Sequence, residues 1–188
     1  VCDSDESRLE EVKNEQKDIE ILKDWENLLE DQSIPAVVVA TPGSSHYDLT
    51  ARALRAGKHV LVERPLARKV RDAVDLMELA RDEGNILMVD HLLEYHSAVE
   101  VLKSRIDSGE LGDVYYVHGQ RLDLEDLETD EDILWSLGSQ EVSLIMYLVG
   151  KKPNQVTAHG GSYLRREENK EDTVFLNIDF DDGEKAHS

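Results

Sequence analysis

The chain has 188 residues, 40% of them hydrophobic and 5% aromatic, enough for one full domain or two small ones. Lys plus Arg number 21 against 41 Asp plus Glu, a net charge of -20, so nothing in the composition would displace counterions from nucleic-acid phosphates. The apolar runs are too short to span a bilayer, the opening VCDSDESRLEE turns acidic too soon for a signal peptide, and the single cysteine, Cys2, excludes an internal disulfide framework. We therefore expect a cytoplasmic protein whose partners include neither nucleic acid nor membrane. The acidity reads as a solvated surface that maintains solubility, or as adaptation to high salt, where screening shrinks self-repulsion.

In chain order, Val1-Cys2-Asp3 reads as the last turn of a strand. Ser4 or Asp5 can cap a helix running through Leu9 and Val12 to about Lys17. Residues 19–22 are a short strand candidate, and Asp24 caps a short helix, DWENLLED. Pro35 opens AVVVA, a β-branched run of the kind buried on both faces of a parallel sheet, which ends at Thr41-Pro42-Gly43. Ser45 starts the helix SHYDLTARALRAG, with Leu49, Ala53 and Leu54 on one face and Gly57 as its C-cap. Strand HVLV runs into Glu63-Arg64-Pro65, where proline, lacking an N–H, stops the ladder. The helix VRDAVDLMELARDEG carries Val70, Ala73, Val74, Met77 and Ala80 at three- and four-residue spacing and ends at Gly84, and NILMVD is another short buried strand. This alternation predicts a doubly wound parallel α/β sheet.

The character changes near His91, and we place a domain boundary at residues 91–96, dividing the chain into 1–92 and 93–188. A helix from about Ser97 to Ser108 stops at Gly109 and Gly112. DVYYVHGQRLDL alternates as a half-exposed strand should, LEDLETDED is an acidic loop, and a helix near 140–149 ends at Gly150. VTAHGGSYL and TVFLNIDF read as two strands of an open, mostly antiparallel sheet, and the turn FDDGE heads into a further strand. The second part is thus α+β. Both ends of the chain read as truncated, which predicts exposed sheet edges.

Ligands of an open parallel sheet collect outside the carboxyl ends of its strands. Three such ends are legible. Asp3 can accept from ribose hydroxyls or serve as a helix N-cap. Ser44, Ser45 and the amides after Gly43 favour a negatively charged or polar ligand group, or are ordinary caps. His46 either contacts a ligand or is a surface histidine. The third end is Glu63-Arg64-Pro65. None of the eleven glycines forms the G-x-G-x-x-G turn of a dinucleotide site, so the first β-α unit of such a fold is expected to be absent. The seven histidines form no H-E-x-x-H, the acidic loop 125–132 lacks the glycine and closing glutamate of a calcium loop, and no metal site is expected.

The stretch TPGSSHYDLTARALRAGKHVLVERPLA resembles the hallmark of the glucose-fructose oxidoreductase/inositol dehydrogenase family, Gfo/Idh/MocA, and the resemblance continues through SRIDSGELGDVYYV, LWSLGSQEVSLIMYLVG, GGSYL and FDDGEKAH. HLLEYHSAV and the LWS segment are most similar to the nucleotide-sugar branch, typified by UDP-N-acetylglucosamine 3-dehydrogenases. The resemblance implies a Rossmann domain over 1–92 that binds NAD, or NADP, and a C-terminal domain over 93–188 that serves substrate binding and homo-oligomer contacts through its sheet. It implies Asp3 at the adenosine ribose, Thr41, Pro42 and His46 on the nicotinamide side, and Glu63 with Arg64 at the nicotinamide ribose. It also implies Tyr95, His96, Trp135 and Gln140 at the sugar or nucleotide-sugar substrate.

The implied reaction removes hydride from a sugar carbon while a base takes the hydroxyl proton. The family supplies lysine in E-K-P and histidine at the start of the later helix. Here Arg64 and Gln140 stand at those positions, and Glu141 where aspartate is expected. Arginine stays protonated and glutamine does not titrate, and losing general acid-base help costs about 10²–10⁴ in rate. Glu141 is a substitute carboxylate, with Tyr95 or His96 as further recruits. The sequence leaves three readings: a sugar oxidoreductase, a catalytically impaired relative that binds nucleotide or sugar, and an assembly module.

Overall fold

The computed structural model describes residues 1–122, 133–164, 167 and 170–188, which leaves the acidic loop at 125–132 outside the described residues. The chain forms two compact units, Val1–Val89 and Asp90–Ser188.

The first unit opens with α1 (Glu6–Glu15), capped by Asp5, whose carboxylate accepts from Ser7 N at 2.9 Å. The strand expected at 19–22 reduces to one parallel bridge, Cys2 to Leu22. After α2 (Trp25–Glu30) come β1 (Ala36–Val39), α3 (His46–Arg55), β2 (His59–Val62), α4 (Val70–Glu83) and β3 (Leu87–Val89). The strands lie in the order β1-β2-β3, all parallel. Two right-handed crossovers advancing in the same direction put α3 and α4 on one face of these strands. Val37, Val39, Val60 and Val62 point to that face and are buried with Leu54 and Leu76. Val38 points the other way and is 64% exposed, so the valine run is buried on one face only.

α4 is rotated relative to the sequence expectation. Val70, Val74 and Met77 are 79%, 44% and 63% exposed, while Leu76 is 0% and Ala80 5% exposed. With about 3.6 residues per turn, Leu76 and Ala80 share a face; Ala80 of the expected stripe is therefore buried, while Val70, Val74 and Met77 lie roughly a quarter of a turn or more from Leu76. Lys58 is 2% exposed, and its ammonium donates to Asp31 O at 2.6 Å, tying the start of β2 to the end of α2.

The second unit contains a 3₁₀ turn (Leu92–Tyr95), α5 (Ser97–Asp107), β4 (Tyr116–His118), a π-helical turn (Leu134–Gly138) running into α6 (Ser139–Val149), then β5 (Pro153–Gly161), β6 (Thr173–Phe180) and β7 (Lys185–His187). The sheet order is β4-β7-β6-β5, with β4 parallel to β7 and the other pairs antiparallel. Among the described residues of the expected DVYYVHGQRLDL strand, β4 takes Tyr116–His118, and the strand expected from Val156 begins at Pro153. Ile145 of α6 packs on Ile178, Phe180 and Ala186 on one side of the sheet. The other side carries His118, His187 and Phe175 as a run of near-parallel rings, His118 to His187 at 5.5 Å and His187 to Phe175 at 6.5 Å. Among the described residues, no helix is long and apolar enough to cross a membrane.

Candidate active site

Parallel register sets the carboxyl ends of β1 and β2 side by side. Val39 faces Val62, and Glu63 N donates to Val39 O at 2.9 Å. Thr41, Pro42 and Gly43 therefore leave the sheet next to Glu63, Arg64 and Pro65, where the Arg64-Pro65 peptide is cis. Thr41 and Pro42 are exposed, and Glu63 and Arg64 are half-buried. Thr41 Oγ1 lies 2.7 Å from Ser45 Oγ, which in turn donates to Pro42 O at 2.8 Å. Ser45 occupies the N-cap position of α3, but its side chain makes no cap bond to that helix; it braces the turn before it.

His46 is 1% exposed, not a surface histidine. Its Nδ1 lies 2.7 Å from Pro65 O and its Nε2 2.6 Å from Thr41 O. Both ring nitrogens are spent on backbone carbonyls, so the side chain expected against the nicotinamide offers it no polar ring atom. Asp3 is not the helix cap either. That role belongs to Asp5, whose amide donates to Asp3 Oδ1 at 2.9 Å, and Asp3 Oδ2 lies 4.0 Å from Arg8 Nη1.

In the second unit, Tyr95 ends the 3₁₀ turn and is exposed. His96 caps α5, its Nδ1 accepting from Ala98 N at 3.2 Å, which leaves only Nε2 for other chemistry. Glu94 of the same turn accepts from Ser143 Oγ, holding the turn against α6. Trp135 is half-buried in the π-helical turn, and its carbonyl accepts from Ser139 Oγ at 3.0 Å. Gln140 and Glu141 sit in the first turn of α6, each 8% exposed. Among the described residues Gln140 Oε1 has no hydrogen-bond partner. Glu141 lines a cavity of ≈ 440 Å³ with Leu134, Leu137, Gly138 and Val174, and with the polar Arg121 at the wall.

Sequence reasoning missed Gly119. A Cβ there would collide with the Glu141 carboxylate, so any other residue at 119 would force the Glu141 side chain out of this position. The signal was a glycine directly after the alternation of YVH. Among the described residues no three His, Cys, Asp or Glu side chains group as metal ligands. The structure thus gathers Thr41, Pro42, Glu63 and Arg64 in the first unit, and Trp135, Gln140 and Glu141 in the second.

Residues 1–91 match a family model described as "Oxidoreductase family, NAD-binding Rossmann fold", and residues 99–188 match one described as "GFO/IDH/MocA C-terminal domain". The chain is 41% identical over 90 residues to dTDP-3,4-didehydro-2,6-dideoxy-alpha-D-glucose 3-reductase of Streptomyces violaceoruber, covering 48% of this chain and 26% of that protein. It is 30% identical over 186 residues to scyllo-inositol 2-dehydrogenase (NADP(+)) of Bacillus subtilis, covering 94% of this chain and 51% of that protein. The crystal structure of myo-inositol 2-dehydrogenase from Lactobacillus plantarum superposes with a TM-score of 0.89 at 20% identity, covering 99% of this chain and 59% of that one, a likeness of fold. The chain spans about half the length, or less, of these curated relatives. Its two units carry the two matched domains one after the other, and the chain belongs to the Gfo/Idh/MocA oxidoreductase family.

Proposed function

We propose that the chain forms the nicotinamide-side part of an oxidoreductase that moves hydride between NAD or NADP and a hydroxyl-bearing carbon of a sugar or nucleotide sugar. The observation that carries this reading is the pair of strand-end loops at Thr41-Pro42 and Glu63-Arg64, held side by side by the β1–β2 register. Ligands of such sheets bind at strand carboxyl ends, and Glu63 supplies an acceptor there for ribose hydroxyls. Asp3 would favour NAD, because a 2′-phosphate would be repelled by its carboxylate. The relatives named above act on an inositol and on a dTDP-sugar, which supports a polyol or sugar substrate.

The residues at hand fit the ribose and nicotinamide side of the cofactor, while the glycine-rich pyrophosphate turn is not among them. A bound nicotinamide supplies the hydride acceptor. Arg64 then polarises and positions the substrate hydroxyl without taking its proton. Gln140 orients through its amide. Glu141 supplies a carboxylate beside Gln140 in the second unit, and its apolar cavity wall suits a proton acceptor shielded from water. Tyr95, His96 and Trp135 complete the substrate contacts in this reading.

A second reading has its own support. Gln140 is nine-tenths buried and cannot titrate, and Arg64 stands at the other position where the family places a proton carrier. Both favour a catalytically impaired relative that binds nucleotide or sugar. The ring-bearing sheet side with Tyr116 and Phe175 exposed supports homo-oligomer contacts, and the cytoplasm suits an enzyme of soluble sugars. The test is NADH fluorescence titration of a chain restored at its N-terminus with a glycine-rich β-α unit, followed by turnover on UDP-sugars, dTDP-sugars and inositols. No NADH binding overturns both readings. Binding without turnover on any of them selects the impaired relative.

A further inference from the structure

The hydrogen-bond ladder between β1 and β2 ends where Glu63 N donates to Val39 O. Beyond it the chain runs into two loops, and Pro42 and Pro65 have no N–H with which to extend the ladder. What joins the loops is the His46 imidazole, 2.7 Å from Pro65 O and 2.6 Å from Thr41 O. Both oxygens only accept. A ring with one N–H satisfies one of them, and a ring with a proton on each nitrogen satisfies both.

The base of this bridge is rigid. His46 is the first residue of α3, and Thr50, Ala51, Ala53 and Leu54 of that helix are all buried. The ring is itself 1% exposed. It therefore reaches from the packed core into two loops that share no ladder hydrogen bond past Glu63. A histidine that merely fills space in a core needs no acceptor at both nitrogens. This one has an acceptor at each, from segments 5 and 19 residues away.

We propose that His46 is a positioning residue, a strut that sets the spacing between the loop of Thr41 and Pro42 and the loop of Arg64 and Pro65, and through that spacing the affinity for the nicotinamide end of the cofactor. The second half of this statement rests on the reading of those loops as cofactor contacts. The first half does not.

The test compares the wild type with His46→Phe, which keeps a ring and loses both polar contacts, and His46→Gln, whose amide can still donate. Amide hydrogen exchange is read by mass spectrometry on peptides covering 41–46 and 63–69. Losing a net hydrogen bond corresponds to roughly tenfold in an opening equilibrium. We expect exchange in both peptides to rise by about that factor in His46→Phe, to rise less in His46→Gln, and to stay unchanged in α4 and β3. NADH titration should show Kd rising about tenfold in His46→Phe and less in His46→Gln.

Faster exchange in one loop only, in neither, or evenly across the first unit overturns the strut. Loop-specific exchange with an unchanged Kd overturns the positioning role. Wild-type protein that binds no NADH removes the cofactor reading, while the exchange pattern alone decides the strut. If His46→Phe does not fold, His46→Gln is measured together with the wild-type ring by long-range ¹H–¹⁵N correlation. A slowly exchanging His46 ring N–H is then expected, and its absence overturns the strut.

Discussion

Leu76→Ala and Met77→Ala test which way α4 faces, and α4 follows directly on the loop that carries Arg64. Leu76 is 0% exposed and Met77 63% exposed, although they are neighbours in the chain. Leu76 and Ala80 are the buried residues of this helix, and Leu76 sits in the core cluster with Leu54, Val60 and Val62. Truncating a fully buried leucine loses its transfer free energy and leaves a cavity, about 3–5 kcal/mol in tightly packed sites. Met77→Ala should lie within about 0.5 kcal/mol of the wild type. For a unit of this size each kcal/mol moves Tm by about 4–8 °C, so Leu76→Ala should lower the transition of the first unit by at least about 12 °C. Urea and thermal melts followed by Trp25 fluorescence in a Trp135→Phe background read that unit, because Trp25 packs against its core. Equal costs for the two variants, or a larger cost at Met77, would refute the assigned face.

Arg64→Lys combined with Gln140→His should raise turnover toward the 10²–10⁴ that acid-base catalysis typically supplies; no gain with cofactor binding intact would show that these are not the proton-carrying positions. Side-chain hydrogen bonds from Lys151 hold the Asp182 and Glu184 carboxyls below their ordinary values of 3.8 and 4.5. Their contribution to stability is therefore present above those values and is lost as pH falls through the lowered ones. The Lys151 ammonium is raised from 10.5 by bonds to Asp182 and then Glu184, so its share persists below that value and is lost only as pH rises through the raised one. Lys151→Met should lower Tm slightly at neutral pH, with the difference from the wild type closing as pH falls below 4.5 through the lowered carboxyl values, so that the variant's acid limb is shallower. With a net charge of -20, Tm should rise between low and molar KCl as screening relieves self-repulsion; a flat or falling Tm would remove the high-salt reading.

The alternation of strands and helices was legible because period-2 valine runs and 3.6-period helices differ over a few residues. The face of α4 was not. Val70, Ala73, Val74, Leu76, Met77, Leu79 and Ala80 contain two overlapping apolar stripes, and only docking on the sheet chooses between them. The valines of β1 mislead in the same way: their β-branching suits a sheet, but which face is covered depends on where the crossovers run. At the site, the adjacency of Glu63 and Arg64 was legible because proline ends the strand. The two partners of His46 were not, since one of them is a carbonyl 19 residues away. The close approach at Gly119 arises from Glu141, an acid on a different element, and the glycine after YVH marks the position without naming that partner.

The position of β7 has a consequence for biosynthesis. Among the described strands it follows β6 in sequence, yet it lies between β4 and β6. During translation, β1, β2 and β3 of the first unit can pair while the second unit is still being made. The β5–β6 hairpin can also form early. β4, however, has no partner until Lys185–His187 leave the ribosome, and until then both β4 and β6 present open edges. A ribosome stalled before residue 185 would therefore carry a half-formed second sheet with open edges. That interval, more than the final fold, is when a chaperone would be needed.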